Sequence, residues 1–281
     1  MNAHKRLEQI DEQVAVDPAD MGLVEEVASN FNELVSRYLD ARASLSGSLA
    51  RSTGVAPITD IDLTCTISCN TNAEPEQFFQ KISAAFEDIP EVSSVIRGDA
   101  ILSIELSGSP WPIDVLPLIK SGSGESIMFR KGDAPAYRAI RHNPQDQLTA
   151  TEAKDTQTSG VYRPTARIFK HWNRQHDKVI PRSYLAECFV WYGIDRPTDY
   201  AQSLCQTFEF AARAILFDEL GDPANLGDNV AANIPSGKRA QARLALRRDR
   251  LQLEALIEET DNTAASEELD ELFTPLRKTG P

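Results

Sequence analysis

Residues Ser46–Thr64 read SGSLARSTGVAPITDIDLT, and this stretch decides the fold. Gly47 and Ser48 are a turn signal. After eleven intervening residues come Asp60, Ile61 and Asp62. From Ile61 the chain alternates: Ile61, Leu63, Cys65 and Ile67 are apolar, while Asp62, Thr64, Thr66 and Ser68 are polar. Period two predicts a strand with one face in a core. Asp60 and Asp62, two residues apart, then project together from the polar face. Two carboxylates ~4 Å apart repel by ~4 kcal/mol at an effective dielectric of roughly 20. A divalent cation between them would offset that. Magnesium takes oxygen ligands and normally joins one or two carboxylates to substrate phosphates.

A third carboxylate is expected on a neighbouring strand. Asp114, in WPIDVLPLI, alternates with Ile113 and Val115 and so faces away from them. Three aspartates on adjacent strands suit two metal ions, which activate an attacking hydroxyl and stabilise a leaving pyrophosphate. At the turn, Gly47 lets backbone N–H groups approach a phosphate, and Ser48 adds a hydroxyl donor. Arg51 and Ser52 extend that cradle.

Outward from this stretch, the chain divides by pattern. Asp17-Pro18 reads as a helix start, with aspartate as N-cap and proline at the first position. The helix runs to about Ala43, and Ser44–Gly54 reads as a connection. Pro75–Phe86 is helical. Val92–Arg97 and Ala100–Leu106 are strands joined by the Gly98-Asp99 hairpin signal, and Pro112–Leu118 is a further strand. KSGSGES (Lys120–Ser126) reads as a loop. After about residue 135 the pattern turns helical: Arg163–His176, Ser183–Tyr192, Tyr200–Leu220 and Lys238–Thr260. The fold class is therefore α/β (α+β), a mixed-sheet lobe followed by a helical lobe. The boundaries read as 1–135 for the catalytic lobe, whose N-terminal helix packs across to the second lobe. Residues 136–260 form the helical lobe, and 261–281 a polar, loosely held tail.

The 281 residues carry a net charge of −13. That balance argues against a binder of long nucleic acids, which needs a basic surface to displace counterions. The basic run from Lys238 to Arg250 falls around most of one helix and reads as a solvated face. His171 and His176 miss the i, i+4 spacing of a helical metal pair. The four cysteines form no C-x-x-C pair and read as reduced. The start MNAHKRLEQIDEQ has no apolar segment, and no apolar run reaches the ~18 residues a membrane span needs. Cytoplasmic residence is the expectation.

Taken together, Gly47-Ser48, the spacer, Asp60-Ile61-Asp62 and IDVLP resemble the signature of the polymerase β-like nucleotidyltransferase superfamily. The helical half narrows this. ARIFKHWNRQ (166–175) is similar to the family helix whose lysine, here Lys170, reaches the nucleotide triphosphate. IPRSYLAECFVWYG (180–193) resembles the next helix, whose serine (Ser183) touches the γ-phosphate and whose tyrosine (Tyr184) stacks on the base. GDPANLGDNVAANIP (221–235) resembles an element shared by oligoadenylate synthetases, archaeal CCA-adding enzymes and the CD-NTases. The resemblance covers about residues 25–250. It implies a polymerase β-like nucleotidyltransferase fold. The implied metal ligands and catalytic residues are Asp60, Asp62 and Asp114. Gly47, Ser48, Arg51, Lys170, Ser183 and Tyr184 are the implied nucleotide contacts. Two magnesium ions are implied, with manganese able to substitute. The implied activity is synthesis of a cyclic di- or trinucleotide second messenger from nucleoside triphosphates, ATP foremost. Its setting would be bacterial anti-phage (CBASS) signalling, with a separate effector protein responding to the product and no obligatory nucleic acid or membrane partner. A linear oligoadenylate-forming or tRNA CCA-adding enzyme is the alternative, and a degenerate nucleotide-binding regulator a third.

Overall fold

The computed structural model describes residues 3–67, 75–120, 126–131, 137–195, 199–224, 229–258 and 262–273. They group into two compact units: Val16–Leu148, and Met1–Ala15 joined to Thr149–Pro281. The first residues of the second unit form α1 (Ala3–Val14), whose Leu7, Ile10 and Val14 are buried. Arg167 grips Asp11 there through two bonds of 2.7 Å.

In the sheet unit, α2 (Pro18–Leu39) starts where expected, with the Asp17 carboxylate accepting from the Ala19 N–H at 2.7 Å. It ends earlier than expected. Asp40 takes a left-handed conformation (φ 45) and donates its N–H to the Val35 carbonyl. The next five residues then form β1 (Ala41–Leu45), antiparallel to β2 (Ile61–Ile67). Asn32 on α2 accepts the Ala43 N–H at 2.9 Å and so ties this strand to its helix. Pairing and tethering make a strand of a sequence with little β-preference of its own.

After β1 come α3 (Gly47–Ala50), α4 (Pro75–Glu87), β3 (Val92–Arg97), β4 (Leu102–Leu106) and β5 (Ile113–Lys120). β6 (Ser126–Lys131), β7 (Tyr137–Arg141) and α5 (Pro144–Gln157) follow. β7 and α5 lie where the sequence suggested only the onset of helical pattern. The sheet order is β1-β2-β5-β4-β3, with β6 on the end of β5 and β7 beside it. β2 and β5 are parallel and the other pairs antiparallel, so the sheet is mixed, as expected. Ile61, Leu63, Ile113 and Val115 share one core with Phe31 of α2 and Phe79 and Phe86 of α4. Phe31 and Phe86 stack at 5.8 Å. Burying each such side chain stabilises the unit by about 1.5–3 kcal/mol. Because the pleat alternates, Asp62 and Asp114 must stand on the opposite face.

The helical unit holds α6 (Tyr162–Gln175), α7 (Ser183–Gly193), α8 (Tyr200–Ala214), α9 (Ser236–Glu258) and α10 (Asn262–Phe273). The stretch read as a loose tail thus contains a helix, whose Leu269, Leu272 and Phe273 are buried. Residues 274–281 lie outside the described residues, as do Cys69, most of KSGSGES (121–125) and residues 225–228. Cys65, Cys188 and Cys205 are free thiols. Burial pushes the Cys65 thiol up to about 12. Among the described residues, no helix is long and apolar enough to cross a membrane.

Candidate active site

The site is built on β2 and β5. Their parallel register sets Asp62 directly beside Asp114, on strands about 4.8 Å apart. Ile61 N–H donates to the Pro112 carbonyl at 3.0 Å, so the strand pairing is closed just below both carboxylates. Asp60 stands one step earlier and is exposed. Burial raises the Asp114 carboxyl above its ordinary range; a hydrogen bond from Ser103 on β4 opposes this, and the charge of Asp60 adds to it. Asp62 and Asp114 therefore bear on one end of the polar sheet face, and the charge of Asp60 reaches Asp114.

Gly47 closes the site from the side. Its φ is +65, and a Cβ built on it would lie 1.9 Å from Oδ2 of Asp62. Only glycine permits both the backbone conformation and that approach. Ser46 N–H donates to the Asp62 carbonyl at 2.9 Å, fixing the turn to the strand. Ser48 follows at the start of α3, and its carbonyl accepts the Thr53 N–H at 2.9 Å. Arg51 is buried and donates to the Gln147 side chain at 3.2 Å, so its guanidinium is held within the sheet unit.

The remaining expected residues belong to the helical unit. Lys170 on α6 is 4 % exposed and pairs with Glu187 on α7 at 2.8 Å. Ser183 is the exposed first residue of α7. The Tyr184 hydroxyl donates to Asp222 at 2.7 Å, and the same Asp222 oxygen accepts the Ala224 N–H at 2.8 Å. The segment after α8 is organised by Arg182, which the sequence reading did not single out, by Asn229 of the 221–235 element, and by Arg239, which is buried although the basic run reads as a solvated face. Arg182 donates to the carbonyls of Val230 and Ala232 at 3.0 and 2.8 Å. Arg239, buried within the basic run, donates to the carbonyls of Ile234, Ile215 and Ala231. Asn229 accepts the N–H groups of Leu220 and Ala231, each at 3.0 Å. Glu187 had a signal: it is the one acid in the apolar run LAECFVWY, and a buried acid needs a partner. Arg182 and Arg239 had none, because backbone carbonyls leave no mark in sequence.

The donor set at the sheet face is all oxygen, which suits a hard cation such as magnesium. Gly47 lets the backbone lie against the Asp62 carboxylate, in space that any side chain would fill. Among the described residues, no group of three or more His, Cys, Asp or Glu side chains is gathered closely enough to hold a metal ion. The chemistry of the site fits the ion through the carboxylate oxygens of Asp62 and Asp114, which stand in register.

No family model matches the chain. A cyclic AMP-AMP-AMP synthase from Acinetobacter sp. (strain ATCC 27244 / 9458) is 22% identical over 204 residues, covering 66% of this chain and 58% of that protein. The match thus spans under two thirds of that relative's length. CdnC of E. coli MS115-1, solved in complex with HORMA-deltaN, superposes with a TM-score of 0.78 at 17% identity, covering 96% of each chain. CdnG, a CD-NTase of Bradyrhizobium diazoefficiens solved with GTP, gives a TM-score of 0.73 at 15% identity, again over 96% of each chain. In its sheet, its helices and nearly its whole length, this chain has the polymerase β-like fold of the CD-NTases.

Proposed function

We propose that this protein is a magnesium-dependent nucleotidyltransferase that joins nucleoside triphosphates into a cyclic di- or trinucleotide. The observation that carries the reading is the in-register pair Asp62 and Asp114, with Gly47 folded against Asp62 and Asp60 acting electrostatically on Asp114. Like charges set together on a fixed sheet end stabilise nothing by themselves. They suit a site that receives a cation and a polyphosphate.

Asp60, Asp62 and Asp114 are the residues that would hold the metal. When bound, magnesium supplies counter-charge to the triphosphate and to the attacking and leaving oxygens. Gly47 and Ser48 receive phosphate at the turn. Asp114 takes the proton of the acceptor hydroxyl. The hydroxyl oxygen then bonds to the α-phosphorus, the bond to the bridging oxygen breaks, and pyrophosphate leaves. Positioning and charge neutralisation supply most of the acceleration. The roles of Lys170 and Ser183 on phosphate and of Tyr184 on the base belong to the same reading, as does the burial of Arg51 beneath the turn. So do two metal ions, a preference for ATP, cytoplasmic residence, and a separate effector protein in anti-phage signalling. The likeness to a cyclic AMP-AMP-AMP synthase and to a CdnC structure with ATP supports adenine as the first base to try.

The test is purified protein with magnesium and the four ribonucleoside triphosphates, without nucleic acid. Products are treated with phosphatase and read by mass spectrometry. A phosphatase-resistant cyclic species is expected. Linear oligomers, or turnover only after tRNA is added, would replace this reading with the oligoadenylate or CCA-adding type. Tight nucleotide binding without turnover, with or without tRNA, would mark a regulator.

A further inference from the structure

The polar sheet face continues past the aspartates. One row across the strands holds Asp62 on β2, Asp114 on β5, Ser103 on β4 and Ile96 on β3, because each is the register partner of the next. Residues opposite one another on neighbouring strands share a face. Leu102, Ile104 and Val95, which alternate with this row, lie with the core. The neighbours of Ile96 on its own face, Ser94, Ser103 and Glu105, are polar. Yet Ile96 is 62 % exposed, and Ile101, two residues before Ser103 on the same face, is 37 % exposed. Gly98 stands beside Ile101 and donates its N–H to the Ile101 carbonyl at 2.9 Å. A Cβ at Gly98 would lie 3.4 Å from Cγ1 of Ile101, so the glycine leaves that flank of the side chain uncovered. Neither isoleucine belongs to the core of the sheet unit.

The row has a direction. The Gly47 turn lies against Asp62 at one end. Asp114 stands next, and Ser103 and Ile96 follow on the side away from Asp62. Adjacent strands are about 4.8 Å apart, so the Ile96 backbone lies about 10 Å from that of Asp114. A nucleoside with a ribose hydroxyl at the Asp114 carboxylate and its base laid across β4 spans that gap. We propose that Ile96 and Ile101 seat the base of the acceptor nucleotide, the one whose hydroxyl Asp114 deprotonates. The proposal rests on the nucleotidyltransferase reading and gives its second nucleotide a place. The donor's phosphates lie at Gly47 and Asp62. The acceptor oxygen gives its proton to Asp114 and bonds to the donor's α-phosphorus, the bond to the bridging oxygen breaks, and pyrophosphate leaves. Ser103, hydrogen-bonded to Asp114, lies beneath the acceptor ribose. Aliphatic side chains touch the flat face of a base and none of its edges, so this contact sets position and accepts any base.

Two nucleotides separate the roles. Dideoxy-ATP lacks both ribose hydroxyls and can only donate; AMP lacks the triphosphate and can only accept. With magnesium present, each is varied while the other is saturating. Ile96→Ser combined with Ile101→Ser is expected to raise the KM for AMP about tenfold, the effect of losing part of two apolar contacts. The KM for dideoxy-ATP and the melting temperature should stay as in the parent. Ile96→Leu, which keeps the apolar surface, should behave as the parent. Calorimetric titration of AMP, with a non-hydrolysable dideoxy-ATP analogue bound, should show the same loss without turnover. An unchanged KM for AMP in the folded double variant, or an equal rise for dideoxy-ATP, would overturn the proposal. So would a parent that makes product from the four nucleoside triphosphates yet neither uses nor binds AMP. A parent that makes no product from the four triphosphates fails the nucleotidyltransferase reading itself and this proposal with it, so that control tells the two failures apart.

Discussion

Two aspartates of this protein have opposite fates. Asp249, on α9, is fully buried, and burial alone would raise its carboxyl. Hydrogen bonds from His176, Arg248 and Trp172 outweigh that and hold it at about 2. Trp172 Nε1 donates at 2.8 Å and His176 Nε2 lies at 3.0 Å. Asp114, on the sheet, is only half-buried, yet it is pushed up, and a neighbouring aspartate contributes. The helical unit answers its buried charges: Asp249 by this cluster, Arg239 by a ring of carbonyls. The sheet end collects like charges. Charge matched within the fold marks structure; charge gathered against its own kind marks a place for something from outside.

The largest expected effect breaks the sheet side of this contrast. Asp60→Asn with Asp62→Asn should abolish turnover, by about a thousandfold or more, while the circular dichroism spectrum and melting cooperativity stay as in the parent. Retained turnover would sink the metal assignment. Gly47→Ala comes next. It forces a methyl group onto Asp62 and a left-handed φ on an L residue, which costs about 1–2 kcal/mol in the backbone alone. Turnover should fall at least about tenfold, and a kinetic assay beside a thermal melt separates lost chemistry from lost fold.

On the helical side, Asp249→Ala leaves the Trp172 N–H and His176 facing a void, and should cost about 3 kcal/mol in urea denaturation. The pH dependence has a definite sign. A depressed native carboxyl contributes stability above the unfolded value of 3.8 and loses it as pH falls toward about 2. The deficit of Asp249→Ala should therefore shrink over that window. Equal deficits at pH 6 and at the acid end would contradict the hydrogen-bonded carboxylate.

The smallest effect has the opposite sign. The raised Asp114 carboxyl binds its proton more readily folded than unfolded. Stability is then lost as pH rises from 3.8 through the native value. In metal-free buffer, Asp114→Asn should melt slightly higher than the parent at neutral pH and show no such gain at pH 3. A lower melting point at neutral pH would mean that Asp114 is held by attractions the contrast leaves out.

Much of this was legible because it is local. The alternation from Ile61 to Ile67 and the position of Asp114 in IDVLP depend on neighbours within a few residues, and they fixed the polar sheet face. The turn at Gly47 was legible for the same reason, although its contact with Asp62 became visible only in three dimensions. β1 was missed because its five residues owe their state to β2 and Asn32. The α10 helix was missed because its buried Leu269, Leu272 and Phe273 sit in a polar segment, its charged residues all acidic, that looks solvated. Asp249 was hidden among arginines in RRDR, where any acid reads as one more surface charge. Its role depends on Trp172, which lies 77 residues away.

The most direct test of the contrast is a manganese titration followed by electron paramagnetic resonance, with a non-hydrolysable ATP analogue present. Parent protein and the Asp60→Asn, Asp62→Asn variant are compared. The account predicts manganese bound by the parent together with the nucleotide, and the bound signal lost in the variant. Equal binding by both proteins would contradict it, because the gathered carboxylates would then not be what receives the ion.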